Sequence, residues 1–94
     1  MTDPEAILEW IQEEHPTVMR LEPSDFYDRF IVGVAHRFYF GPVLAYDMTK
    51  IIAAHVEEEN LSWAEATEHF HLNTLGAWVG EGTPVFLDSS PSSY

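Results

Sequence analysis

Ninety-four residues suffice for one domain and leave no room for a second core, since domains typically run ~100–150 residues. Sixteen acidic side chains against four Lys and Arg give a formal net charge of -12, which argues against unaided binding to naked nucleic acid or an anionic membrane. The absence of cysteine excludes disulfides, thiolate metal sites and a cysteine nucleophile, and no apolar run approaches the ~20 residues of a membrane span. The apolar share of 46%, with 14% aromatic, is that of a folded chain. Nothing at its start reads as a signal peptide, so a cytoplasmic location is expected.

The first predicted element is a helix. Asp3 suits its N-cap, Pro4 its first turn, and Glu5 the positive end of its dipole. Ile7, Leu8 and Ile11 form a narrow apolar stripe with Trp10 at its margin, and His15-Pro16 ends the helix. Thr17 to Leu21 reads as extended, and Glu22-Pro23-Ser24-Asp25 as a loop. Phe26 to Phe40 alternates as a strand whose first half is apolar on both faces. Gly41-Pro42 is a turn signal, with Val43 to Tyr46 returning as the second strand of a hairpin.

Asp47 then caps a second helix carrying Ile52, His55, Val56 and Glu59 on one stripe, broken at Asn60-Leu61. Ser62-Trp63-Ala64-Glu65 is a capping box opening a third helix, whose stripe is Ala66, Phe70, Asn73 and Ala77. Val85-Phe86-Leu87 forms a last strand, and residues 89–94 read as a disordered tail. The expectation is therefore a single α+β domain over residues 1–88. Three helices pack on a three- or four-stranded, mainly antiparallel sheet in the order α-β-β-α-α-β.

Eleven of the sixteen acids are glutamate, and they cluster. Glu5, Glu9 and Glu13 repeat at four-residue spacing with Glu14 beside them, so carboxylates recur roughly every 6 Å along one line of the first helix. Glu57, Glu58 and Glu59 form a second group, extended by Glu65 and Glu68. Such rows serve solubility or adaptation to salt; they also offer a cationic groove the partner that phosphates normally provide.

Other chemistry is sparsely supported. One Glu-x-x-His step, Glu68 to His71, falls short of a carboxylate-bridged di-metal set, and His36, His55, His69 and His71 lie on different elements or diverge. No nucleophile elbow or phosphate-binding glycine loop occurs. Asp28 is expected to bond backbone or pair with Arg29 or Arg37, and Asn73 to act as a buried polar clamp. No catalytic, cofactor-binding or metal-ligating set is assigned.

Tyr27-Asp28, Ile31 to Val34, Pro42 to Asp47, Ser62 to Ala66 and above all Asn73 to Pro84 together resemble a small protein family encoded in phages and prophages. The resemblance spans roughly residues 25–87, leaves the acidic first helix outside it, and brings no catalytic residue. It implies a short accessory protein of a kind that acts on a host complex. The leading expectation is thus a non-enzymatic acidic inhibitor of anti-CRISPR or anti-restriction type, occluding the basic groove of a host nucleic-acid-handling protein. Glu5, Glu9, Glu13, Glu14, Glu57, Glu58, Glu59, Glu65 and Glu68 are its candidate contacts. Alternatives are a ligand-binding domain or enzyme with a pocket around Asp28, Asn73, Trp78 and Glu81, and a homodimeric or larger assembly protein.

Overall fold

The computed structural model describes residues 3–37, 40–75 and 82–89. Helix α1 (Pro4–Glu14) begins as expected, with the Asp3 carboxylate accepting from the Glu5 N–H at 3.0 Å. It buries Leu8 and Ile11 and leaves Trp10 45% exposed. The segment expected as a loop instead winds into a short helix, α2 (Ser24–Tyr27), followed by a 3-10 turn (Asp28–Phe30). Phe26 and Phe30 therefore belong to these turns, and strand β1 (Ile31–Arg37) starts later than alternation alone indicates.

Strand β2 (Phe40–Asp47) lies between β1 and β3 (Val85–Leu87) in a three-stranded sheet of order β1-β2-β3. β1 pairs antiparallel with β2, whereas β2 and β3 run parallel, so the sheet is mixed where a mainly antiparallel one is expected. Parallel pairing requires a crossover long enough to carry the chain back to the starting end of the strand, and the connection through the two intervening helices supplies that length. As the central strand, β2 is buried on both faces at Val43, Leu44, Ala45 and Tyr46. β1, at the edge, is mostly half-buried where its first half is expected to be buried on both faces.

Gly41-Pro42 is not a turn. Between the pairs Ala35↔Val43 and Arg37↔Phe40, β2 carries two residues opposite His36 alone, a bulge that accommodates a proline with no N–H to give to the ladder. Arg37 closes the bulge by donating from Nε and Nη2 to the Gly41 carbonyl at 3.2 and 2.9 Å.

Asp47 caps α3 (Met48–Glu58) through the Lys50 N–H at 3.1 Å, and Ser62 with Glu65 forms both halves of the capping box on α4 (Trp63–Phe70). The backbone and side-chain bonds to Ser62 hold the Glu65 carboxyl below the usual carboxylate range. A π-helical turn (His71–Leu75) prolongs α4, and the buried stripe continues on Thr74, leaving Asn73 exposed where a buried clamp is expected. Ala77, the last residue of the expected stripe, lies outside the described residues. Gly82 has a packing reason: a Cβ there would come within 2.7 Å of the Thr17 carbonyl, beside the bond from the Met19 N–H to the Gly82 carbonyl at 3.0 Å. Ser89 is not loose tail. Its hydroxyl donates to the Asp47 carboxylate at 2.9 Å and its N–H to the Thr49 hydroxyl at 2.8 Å; residues 90–94 lie outside the described residues.

Leu8, Ile11, Tyr27, Phe30, Ile31, Leu44, Tyr46, Ile51, Ile52, Ala66 and Phe70 belong to one shared core. Tyr46 is its polar centre. Its hydroxyl accepts from the Leu21 N–H at 3.0 Å, and burial pushes its pKa up to about 12 despite that bond.

Candidate functional site

Local signals in the α3–α4 connection decide which side chains meet. Asn60 adopts a left-handed φ of 56°, a conformation asparagine tolerates better than other residues with a Cβ, and it turns the chain as α3 ends. Ser62 then starts α4 at once. His55 and Glu59 share one face at the end of α3 because they are four residues apart. The return brings His69, in the last turn of α4, against them.

The His55 and His69 rings lie 4.8 Å apart between centroids at an interplanar angle of 72°. His55 Nδ1 meets the Glu59 carboxylate. His55 is only 5% exposed, and its Nε2 is buried with no hydrogen-bond partner among the described residues. One donor atom each from His55, Glu59 and His69 lies within 4.8 Å of the other two.

The walls are held in place from outside. Phe26 stacks on His55 at 5.0 Å, and Arg29 clamps Phe26 by donating to its carbonyl at 3.1 Å while its guanidinium lies over the Phe26 and Phe30 rings. The same guanidinium bonds Glu58 at 2.6 Å. Asn73 Nδ2 donates to the His69 carbonyl at 3.1 Å and lies 3.3 Å from the His69 ring Nδ1. A cavity of about 450 Å³ opens here, between Pro23, Phe26 and Tyr27 on one side and His55, Glu58, Glu59 and His69 on the other.

The anticipated acidic residues fall into different environments. Glu5, Glu9, Glu13 and Glu14 are all exposed on α1, whose last turn contains no basic residue. Glu9 and Glu13 border a surface groove with Ala6 and Trp10. Glu57 and Glu68 are exposed, but the rest of the second cluster is committed: Glu58 to Arg29, Glu59 to His55 and Glu65 to its cap. Asp28 pairs with Arg20, Nε to Oδ1 at 3.1 Å, instead of with Arg29 or Arg37, and that pairing raises the Arg20 pKa further. It borders a depression with Asp3, Glu5, Asp25 and Arg29, whose lining does not include Asn73; Asn73 bonds His69 instead. Trp78 and Glu81 lie outside the described residues.

The His55–Glu59–His69 grouping is what residue-by-residue reading misses. Half of its signal is present, since His55 and Glu59 already share the stripe assigned to α3; the angle at Asn60 supplies the rest. Among the described residues, no helix is long and apolar enough to cross a membrane. Compared with protein-family models, curated proteins and solved structures, the chain has no significant match.

Proposed function

We propose that the protein is a phage-borne binding module, acting in the host cytoplasm, that docks the solvent face of α1 onto the cationic groove of a nucleic-acid-handling protein and blocks it. The observation that carries this reading is the composition of that face. Glu5, Glu9 and Glu13 stand exposed in line beside a half-exposed Trp10, and the last turn of α1 holds Glu13 and Glu14 with no base. Carboxylates at the negative end of a helix dipole work against the helix. A large aromatic among them is the residue type that anchors interfaces. The second cluster contributes less, because Glu58 and Glu59 are engaged within the molecule.

The test couples capture to displacement. Proteins retained from a bacterial lysate at low salt and released at high salt are assayed for nucleic-acid binding with and without this chain. Wild-type protein is expected to displace the nucleic acid. The Glu5→Lys/Glu9→Lys/Glu13→Lys variant is expected to fail while keeping its circular-dichroism spectrum, and Trp10→Ala to weaken displacement at least ~10-fold. Displacement by the triple variant equal to wild type sinks the reading, as does retention of no nucleic-acid-binding protein.

A further inference from the structure

Apart from the α1 face, we propose that His55, Glu59 and His69 form a binding site for a first-row divalent metal ion, with Zn2+ the best match. Two imidazoles and one carboxylate are a donor set that suits zinc and its neighbours, while magnesium and calcium prefer all-oxygen shells. The spacing is close to what coordination requires. Three atoms none more than 4.8 Å apart have a common centre within about 2.8 Å of each, and Zn–N and Zn–O bonds are ~2.0–2.2 Å. An ion at that centre is at most about 0.8 Å too far from any donor, and the His55 and Glu59 atoms, already in contact, part to share it, both side-chain adjustments.

Orientation points the same way. His55 turns Nδ1 toward the Glu59 carboxylate, so Nδ1 is the nitrogen through which the two can share an ion in place of that contact, while Nε2 keeps the ring proton. The ring is already oriented, pressed by Phe26 on one side and set edge to face against His69 on the other. Glu59 and His69 are more accessible than His55, so an ion has an entry path from the cavity. Three protein donors leave a fourth coordination position for water or a small ligand, the arrangement of catalytic zinc sites as opposed to closed structural ones. The cavity beside the donors, about 450 Å³, gives that position room. The strong negative charge of the whole chain favours cation capture.

The experiment uses tag-free, chelator-treated protein titrated with Zn2+ in a calorimeter and with Co2+ in a visible spectrometer. One ion per chain is expected, with the intense absorption of low-coordinate Co2+. His69→Ala and Glu59→Gln are each expected to weaken Zn2+ by at least ~10–100-fold, the loss that removing a mere outer-sphere partner already produces. His36→Ala, exposed on β1, should bind as wild type does. His55→Leu removes binding and is expected to melt no lower than the metal-free parent, since it trades a half-satisfied polar ring for an apolar side chain. Lack of saturable one-to-one binding overturns the proposal, and so does equal weakening in His36→Ala. Should His55→Leu fail to fold, His69→Ala and Glu59→Gln alone decide, both at accessible positions.

Discussion

The end of β2 and the α3–α4 junction both bury polar side chains, and they treat them differently. At β2 the Tyr46 hydroxyl is met by the Leu21 N–H, and the Asp47 carboxylate by the Lys50 N–H and the Ser89 hydroxyl. At the junction one nitrogen of His55 is unmet among the described residues, and the cavity beside it is lined by further titratable groups. Polar groups buried for stability are found with partners. The contrast separates a part of the fold whose buried polar groups are met within the chain from the part where the ion site is proposed.

The largest effect that tests this contrast belongs to Tyr46. Its pKa rises from 10.0 to about 12 in the folded chain, chiefly because burial disfavours the phenolate. Below pH ~10 both states are protonated and the contribution to stability is complete. Between ~10 and ~12 the unfolded chain releases its proton while the folded chain holds it, so stability falls as pH rises, by about 2–3 kcal/mol in all. Urea unfolding across that window should show a steeper loss in wild type than in Tyr46→Phe. Tyr46→Phe also forfeits about 1 kcal/mol at neutral pH by stranding the Leu21 N–H. Equal slopes would mean that the hydroxyl is not held in the way the β2 side of the comparison requires.

Arg29 sharpens the other side. Its ion pair with Glu58 is about half exposed and is itself worth little. Its stacking over Phe26 and Phe30 and its bond to the Phe26 carbonyl hold the wall that presses on His55. Arg29→Ala is expected to cost about 1–1.5 kcal/mol in urea unfolding, and Arg29→Lys nearly as much, because an ammonium cannot reproduce a planar, forked stack. A loss below ~0.5 kcal/mol would show that Phe26 stands without its clamp.

These same features mark what the chain discloses on reading and what it does not. Asp3-Pro4, Asp47 and the Ser62–Glu65 box act through neighbours within a few residues, and each lies where local chemistry puts it. Gly41-Pro42 misleads because a proline with no N–H fits a bulge as well as a turn, and only the register against β1 distinguishes them. The parallel pairing of β3 depends on two intervening helices, beyond any local signal. In the candidate site, His55 and Glu59 are visible as a four-residue pair, whereas His69 joins them only through the left-handed Asn60 and the cap that follows. The glutamate clusters were legible as clusters, but nothing in the run Glu57-Glu58-Glu59 reveals that two of the three are engaged from other directions.

The smallest effect extends the contrast to the surface, where it changes sign. Glu9 stands between Glu5 and Glu13 at four-residue spacing on an exposed helix face, so it carries two like-charge neighbours. Glu9→Lys replaces both repulsions with attractions, Glu5 to Lys in the favourable orientation and Lys to Glu13 in the weaker one. The variant is expected to be more stable than wild type by about 0.5 kcal/mol in low salt, with the gain shrinking as salt is added. If α1 is a docking face, the same change weakens displacement of nucleic acid from the captured protein, so stability and function move in opposite directions at one residue. A variant that gains stability and still displaces as wild type does would identify the row as a solvated surface only. One that gains nothing would show that the carboxylates do not oppose the helix in the first place.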